Sequence, residues 1–248
     1  MSAHPSPEYP RTYPGFCPIC QAATTFLVKG PWLRDQLFCE TCENGSVPRE
    51  RHLAHVLDQM RPNWRQLAIH ESSPANRGIS AKMKREAPGY IGSHYFADKP
   101  PGAAVGAYRN ENLEKQTFAD ASFDLVISLD VLEHVFDPAA AHREIWRTLK
   151  VGGLHICTFP VSGARFNAVA RRAKLEADGS ITHLVEKPDY HGNPISNEGA
   201  LVTVDYGYEI HKQIGEWAPF DVTVVRAANK TIGVLGDYTE VFVCSRRS

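Results

Sequence analysis

Residues 118–160, FADASFDLVISLDVLEHVFDPAAAHREIWRTLKVGGLHICTFP, decide the fold of this chain. Residues 123–128 are almost entirely apolar, which is typical of a strand that is covered on both faces. The Asp-Pro pair at 137–138 predicts a helix start, with an aspartate N-cap and a proline in the first turn. The Gly-Gly pair at 152–153 is expected to end that helix, and residues 154–159 predict the next strand. A strand, a helix and a second strand in this order indicate an open parallel sheet.

This stretch resembles the second half of a class I S-adenosylmethionine-dependent methyltransferase of the type 11-like group. The resemblance is carried by FDLVISLDVLEHVFDP followed by EIWRTLKVGG, and it extends over roughly residues 64–160. It implies an α/β fold with a Rossmann-like doubly wound sheet, mostly parallel, whose last strand is antiparallel. Residues 220–226 and 239–245 are the expected final strands. The resemblance also implies that S-adenosylmethionine binds where the strands of the sheet end.

Four cysteines near the N-terminus form two Cys-x-x-Cys pairs, Cys17 with Cys20 and Cys39 with Cys42. Two such pairs have the spacing of a zinc ribbon, in which four thiolates surround one ion. Because four protein ligands leave no open coordination position, the pattern predicts structural Zn²⁺ rather than a catalytic metal. Disulfides are the alternative, and a reducing compartment argues against them. The remaining cysteines, Cys157 and Cys244, lie in apolar stretches and are expected in the core.

Length and composition fit one globular α/β domain with a small addition. The chain has 248 residues, of which 43% are hydrophobic and 22% charged, with a formal net charge of −1. This near-neutral charge argues against nucleic acid and anionic membranes as general partners. The sequence contains neither a secretory signal nor a membrane-spanning stretch, so we expect a cytoplasmic protein. The predicted division is a flexible arm (1–15), a zinc-ribbon-like module (16–48) and a methyltransferase-like domain (49–248) with a lid insertion (176–206).

The resemblance implies a set of cofactor-binding residues at the ends of successive strands. Glu71 matches the acidic position after the first strand, and Glu111 or Asn112 matches the position beside adenine. The segment starting at Asp130 is expected beside the methionine part of the cofactor. The full set is His70, Glu71, Ser72, Ser93, Glu111, Asn112, Asp130 and Val131.

The turn after the first strand departs from the family pattern. Its sequence, HESSPANRG, retains Gly78 in place of the usual glycine-rich turn, and Gly78 is a candidate for close approach to the cofactor. Backbone N–H groups at a helix N-terminus can hold a carboxylate without glycine. Alternatively, Ser73 only caps a helix that begins at Pro74. Both interpretations remain open at this point.

The region after Pro160 is expected to cover the cleft. Residues 161–175 predict a helix, and residues 176–206 collect glycine, proline, histidine and tyrosine in a long connection. Such insertions beside an α/β cleft commonly form lids or substrate walls. Asp205 is expected to cap a helix that extends to Trp217. His191 in this lid is the candidate general base, because histidine titrates near neutral pH.

Two function classes follow. The first is methyl transfer from S-adenosylmethionine to a small-molecule or glycan-type acceptor. The alternative is a non-catalytic zinc-containing binding or scaffold protein with a degenerate methyltransferase fold, which the altered turn favours. A nucleic-acid methyltransferase guided by the zinc ribbon is a third and weaker hypothesis, because the net charge is near neutral.

Overall fold

The structure is a computed structural model that describes residues 8–193 and 195–247. The chain begins with a small antiparallel sheet of order β1-β2-β3, and a short helix connects its second and third strands. These elements are β1 (Arg11–Cys17), β2 (Ala22–Val28), α1 (Leu33–Gln36) and β3 (Leu37–Cys39). The first cysteine pair brackets the turn between β1 and β2, and the second pair begins at the end of β3.

A central eight-stranded sheet, its flanking helices and three smaller sheets formed by β10–β16 follow in the chain. The elements are α2 (Pro48–Met60), β4 (Ile69–Ser72), α3 (Gly78–Glu86), β5 (Tyr90–His94), β6 (Ala104–Val105), β7 (Tyr108–Asn110), β8 (Phe123–Leu129), α4 (Pro138–Thr148), β9 (Leu149–Thr158), β10 (Val161–Ser162), β11 (Val169–Arg171), β12 (Ala173–Leu175), β13 (Ile181–His183), β14 (Tyr190–Asn193), β15 (Ser196–Leu201), β16 (Val204–Gly207), α5 (Ile210–Trp217), β17 (Phe220–Val225) and β18 (Val241–Arg246). Single 3-10 turns cover Trp64–Gln66 and Leu132–His134. No helix among residues 8–193 and 195–247 combines the length and apolarity that crossing a membrane requires.

The order of the central sheet is β17-β18-β9-β8-β4-β5-β7-β6. Strands β9, β8, β4, β5 and β7 pair in parallel, whereas β18 is antiparallel to both β9 and β17. This confirms the predicted Rossmann-like sheet, mostly parallel with an antiparallel last strand. A 3-10 turn over residues 64–66 precedes the first strand, β4. Strands β6 and β7 form a tight hairpin.

Helix α4 begins as predicted. The Asp137 side chain accepts a hydrogen bond of 3.0 Å from the Ala140 N–H, and Pro138 is the first helical residue. The helix ends at Thr148, before the glycine pair, so the expectation that the glycines end it is wrong. Gly152 and Gly153 instead lie in β9, opposite an irregularity in the register of β8. A side chain on Gly153 would contact the Lys150 carbonyl oxygen at 2.8 Å, so the glycines permit this bend.

Two hydrophobic clusters cover the two faces of the sheet, because successive side chains on a strand point to opposite faces. On β8, Leu125 and Ile127 belong to the cluster under α2 and α3, whereas Phe123 and Val126 belong to the cluster under α4 and α5. The first cluster also contains Phe26 and other side chains of the β1–β3 sheet. The N-terminal sheet is therefore packed against the main core. Cys157 and Cys244 are buried, as expected.

The segment after Pro160 differs from the prediction. Residues 161–175 form the short strands β10, β11 and β12 rather than a helix. The apolar side chains there serve strand pairing, since Val161 and Val169 both lie opposite Tyr206 of β16. Asp205 lies within β16 and forms an ion pair with Arg172, so it does not cap a helix. Helix α5 begins later than predicted, at Ile210.

Candidate cofactor and acceptor site

A cavity of about 1280 Å³ lies where the strands of the central sheet end. Ser72 of β4, His94 of β5 and Asp130 after β8 line it from the sheet side. Trp32, which directly precedes α1, lines one side, and His191 of β14 lines another. This position agrees with the general rule for ligand sites of open α/β sheets.

The structure brings some of the predicted cofactor residues to the cavity and leaves others behind its wall. Those on the cavity are Ser72, Glu111, Asn112, Asp130 and Val131. His70, Glu71 and Ser93 are not among the lining residues. Their roles as cofactor ligands therefore gain no support from their position.

His70 faces the opposite layer of the fold. Its ring packs 4.8 Å from the Phe118 ring and 5.3 Å from the Phe123 ring, measured between centroids. One ring nitrogen, Nε2, lies 2.8 Å from the hydroxyl oxygen of Ser93. Burial lowers the pKa of His70 to about 3, so the ring is neutral. His70 and Ser93 thus form a polar pair inside the core.

Glu71 also points away from the cavity. Its fully buried carboxylate accepts hydrogen bonds from the hydroxyls of Ser80 at 2.5 Å and Tyr90 at 2.7 Å. Burial raises the pKa of Glu71 to about 7, although both hydrogen bonds oppose that shift. Through these two hydrogen bonds, Glu71 of β4 connects α3, which carries Ser80, with β5, which carries Tyr90.

The turn after β4 achieves its shape without a glycine-rich sequence. Ser73 adopts a φ of 52°, and its N–H donates to the Ser93 carbonyl oxygen at 2.7 Å. Helix α3 begins at Gly78, so the interpretation of Ser73 as the cap of a helix starting at Pro74 is wrong. A Cβ on Gly78 would lie 2.4 Å from a carboxylate oxygen of Glu50. The close approach at Gly78 is therefore to Glu50 of α2.

Beyond β5 and β7, the cavity wall contains His94 and the Glu111–Leu113 segment. His94 is buried, and its Nε2 has no hydrogen-bond partner among the described residues. Burial lowers the pKa of His94 to about 4, which makes it a neutral polar group. The Glu111 carboxylate binds the Arg109 guanidinium at 2.6 Å and the Thr117 N–H at 2.8 Å. Glu111 therefore shapes the wall beside Asn112 and Leu113 while its charge is balanced.

Asp130 carries the most heavily bonded carboxylate of the cavity. It adopts a φ of 54°, and both of its carboxylate oxygens accept from the Arg34 guanidinium, at 2.9 and 2.8 Å. Arg49 of α2 lies 2.6 Å from the same carboxylate, and the Thr158 hydroxyl donates to it at 3.1 Å. The sequence did not predict the role of Arg34, because no short motif connects it to Asp130, which lies 96 positions away. Arg51 and His52 of α2 are buried, and neither lines the cavity.

Glu133, His134 and His191 form a cluster on the wall of the cavity. The Nδ1 atom of His191 lies 3.6 Å from a carboxylate oxygen of Glu133, which raises the pKa of His191. The Nδ1 atom of His134 lies 2.8 Å from the Leu201 carbonyl oxygen, which orients that ring. Glu133 is 2% exposed, and neither of its carboxylate oxygens has a hydrogen-bond partner among the described residues. A buried carboxylate of this kind favours a positive charge beside it, and the His191 ring is in position to carry that charge once it gains a proton.

The four N-terminal cysteines form a compact cluster. The Sγ atoms of Cys17 and Cys42 are 3.5 Å apart, and those of Cys20 and Cys39 are 3.9 Å apart. All four sulfur atoms lie within 4.8 Å of one another. A tetrahedral Zn²⁺ site with Zn–S bonds of about 2.3 Å separates its sulfurs by about 3.8 Å. The cluster is thus compatible with a zinc ion.

Comparison with known proteins agrees with this geometry. Residues 89–157 match a family described as a methyltransferase domain. Ubiquinone biosynthesis O-methyltransferases from Cereibacter sphaeroides are 43% identical to this chain over 51 residues, and one from Ruegeria pomeroyi is 41% identical over 51 residues. These alignments cover 21% of this chain and 21% of each relative. The chain therefore spans about a fifth of the length of the curated relatives that it matches.

Two solved structures show the same fold. An S-adenosylmethionine-dependent methyltransferase from Mesorhizobium loti superposes with a TM-score of 0.52 at 16% identity, covering 79% of this chain and 98% of that one. A sugar N-methyltransferase from Streptoalloteichus superposes with a TM-score of 0.52 at 15% identity, covering 81% of this chain and 87% of that one. Residues 89–157 are thus similar to the methyltransferase domain family, and the central sheet has the fold of these two solved methyltransferases.

Proposed function

We propose that this protein transfers a methyl group from S-adenosylmethionine to a hydroxyl or amino group of a small-molecule or glycan-type acceptor. The observation that carries the proposal is the cavity of about 1280 Å³ between the carboxyl ends of the strands and the His191–Glu133 pair. Single ligands occupy pockets of roughly 300–1000 Å³, so this cavity has room for a cofactor and an acceptor together. The relatives support the acceptor class, since one is named an O-methyltransferase and another a sugar N-methyltransferase.

The residues on the cavity fit the polar and apolar parts of the cofactor. Asn112 and Leu113 offer an amide and an apolar surface for a purine ring. The neutral ring of His94, with an unpartnered nitrogen, offers a hydrogen-bonding group where relatives are expected to carry an acid for the ribose. Ser72 and the segment after Asp130 are left for the methionine part. When bound, the cofactor supplies an electrophilic methyl group on a positively charged sulfur.

In this proposal, His191 removes the proton of the acceptor. Its Nδ1 faces Glu133, so the buried carboxylate stabilises the imidazolium that forms when the ring accepts a proton. The acceptor oxygen or nitrogen gains the methyl group as its own proton passes to His191. Raising the pKa of His191 above its ordinary value strengthens it as a base near neutral pH. The lid excludes water around these atoms, and alignment at about 3 Å accounts for much of the rate.

Calorimetric titration with S-adenosylmethionine and S-adenosylhomocysteine tests cofactor binding directly. We expect saturable binding of both compounds by the full chain. Binding of neither would instead favour the alternative of a non-catalytic zinc-containing scaffold with a degenerate methyltransferase fold. Salt-sensitive binding of RNA or DNA would favour the nucleic-acid hypothesis.

The His191→Gln variant tests the base once a turned-over acceptor is known. We expect a loss of about 10²–10⁴-fold in kcat with little change in cofactor affinity. The matched control is His183→Gln, because His183 is an exposed histidine of the same lid region. If turnover by the zinc-loaded enzyme required a further added divalent cation, His191 and Glu133 would be metal ligands and the base role would fall.

The proposal includes structural Zn²⁺ bound by Cys17, Cys20, Cys39 and Cys42. Their sulfur spacing supports this, and four thiolates provide a closed shell. It also includes a reducing compartment such as the cytoplasm, in which the four thiolates would stay available to the metal. The division into an arm (1–15), a zinc module (16–48) and a methyltransferase domain (49–248) with a lid (176–206) remains part of the same proposal.

A further inference from the structure

The segment over residues 16–48, called the cysteine module below, contributes the buried guanidinium of Arg34 to the cavity. Arg34 belongs to α1, which lies between β2 and β3, and its residue is 6% exposed. Its Nη2 atom donates to both carboxylate oxygens of Asp130, at 2.9 and 2.8 Å, and its Nε donates to the Tyr238 carbonyl oxygen at 3.2 Å. Arg34 therefore joins the cysteine module, the end of β8 and the loop before β18.

The position of Arg34 depends on the sulfur cluster. Helix α1 has four residues, which is far too short to be stable by itself. The strands on either side of it are held in register with Phe26 opposite Cys39, at the end of β3. The first cysteine pair closes the other end of the same small sheet. Small metal modules of this kind fold when their ion binds, so loss of the ion would release α1 and Arg34.

Asp130 in turn depends on Arg34. Its backbone has a φ of 54°, a conformation that residues with a side chain rarely adopt. Its side chain is 16% exposed, so its charge needs a partner. Arg49 also contacts Asp130, and it lies close to Asp35, whereas Arg34 is 3.8 Å from Asp35. Without Arg34, the wall formed by Asp130 and the adjacent Val131 loses the guanidinium nitrogen that contacts both carboxylate oxygens.

We propose that Arg34 is a positioning residue through which zinc in the cysteine module and ligand binding in the cavity are thermodynamically linked. The inference rests on the proposed function, because the ligand is the cofactor or its demethylated product. Loss of zinc weakens cofactor binding. By reciprocity, bound cofactor raises the affinity of the chain for zinc by the same equilibrium factor.

The experiment measures both directions of the linkage on the full chain. Calorimetry gives the Kd of S-adenosylhomocysteine for the zinc-loaded protein and for protein stripped by a chelator. Competition with a colorimetric zinc chelator gives the zinc affinity with and without saturating S-adenosylhomocysteine. We expect both ratios to agree and to be about tenfold, within the usual range of coupling between two sites.

The Arg34→Ala variant separates the linkage from the fold of the module. We expect it to keep one zinc per chain, to bind S-adenosylhomocysteine more weakly, and to lose the effect of that ligand on zinc affinity. Arg34→Lys restores the charge without the planar fork and is expected to lie between the two. The control is Lys29→Ala, which removes an exposed cation of the same module that contacts Phe38.

The possible outcomes distinguish failure of the linkage from failure of the proposed function. Binding of S-adenosylhomocysteine with equal Kd to zinc-loaded and stripped protein would overturn the linkage and leave the proposed function standing. A full linkage in Arg34→Ala would show that another contact transmits it, and would overturn the role of Arg34. No binding to the zinc-loaded wild-type protein would overturn the proposed function and the linkage with it. The wild-type measurements decide the linkage even if a variant does not fold.

Discussion

Acidification should destabilise this protein through histidines that are buried in neutral form. His142 is fully buried in α4, and its Nδ1 lies 2.8 Å from the Pro138 carbonyl oxygen. Its Nε2 has no hydrogen-bond partner among the described residues. Burial lowers the pKa of His142 to about 4, and burial together with Arg109 lowers the pKa of His70 to about 3. Protonation of either ring places an unpaired charge inside the core.

The sign and size of the effect follow from proton linkage. A histidine whose folded-state pKa is depressed contributes stability above its unfolded pKa of about 6.5, and loses it as the pH falls toward the folded value. With a folded pKa of about 4, the unfolded state gains about 1.8 kcal/mol relative to the folded state between pH 7 and pH 5. His70 adds a similar amount. The pair therefore removes about 4 kcal/mol, a large part of the stability of an ordinary domain.

The assay is urea unfolding at pH 7, 6 and 5, with the zinc content measured at each pH. In His142→Leu, the loss of unfolding free energy between pH 7 and pH 5 should be smaller than in the wild type by about 1.8 kcal/mol. Other titrating groups are common to both proteins and cancel in this difference. His183→Gln should keep the wild-type pH dependence, since His183 is exposed. An unchanged pH dependence in His142→Leu would refute the assignment of acid sensitivity to this buried ring.

Three further predictions, two of them with a control substitution, test other parts of the structure. Gly78→Ala should cost more than about 1 kcal/mol of unfolding free energy, because it combines a φ of 57° with a carboxylate oxygen at 2.4 Å. Gly152→Ala has a φ of 74° but open space around its Cβ, so a cost as large as that of Gly78→Ala in urea unfolding would contradict the steric argument. Cys20→Ser should abolish bound zinc as measured by elemental analysis, whereas Cys157→Ser should retain one ion per chain; equal zinc in both would exclude the four-sulfur site. Tyr90→Phe should destabilise the fold by about 1–3 kcal/mol in urea unfolding, because it removes one of the two hydroxyl donors to a buried carboxylate; no change would mean that this carboxylate is protonated or otherwise satisfied.

The parts of the fold that follow from local chemistry were predictable from the sequence. The apolar run at 123–128 and the Asp-Pro helix start give β8 and α4 because burial on both faces and N-capping act over a few residues. The paired cysteines likewise predict their cluster, since each Cys-x-x-Cys turn places two sulfurs together. The same reasoning failed at residues 161–175, where an alanine- and arginine-rich stretch forms strands. Pairing with distant β16 outweighed the local helix preference there.

The site was less predictable than the fold, because strand ends can be located from the sequence but the direction of each side chain depends on distant partners. Glu71 lies near the end of β4 and Asp130 directly follows β8, yet the contacts of the two carboxylates differ. The Glu71 carboxylate accepts hydrogen bonds from the hydroxyls of Ser80 and Tyr90 and does not line the cavity. The Asp130 carboxylate accepts from Arg34 and does line it. Arg34 and Asp130 are 96 positions apart in the sequence, so no local pattern predicts that they form a pair. A family resemblance therefore predicts where an acidic residue lies at the edge of the sheet. It does not predict which hydrogen-bond donors from other segments bind that carboxylate, and these donors determine its role in this chain.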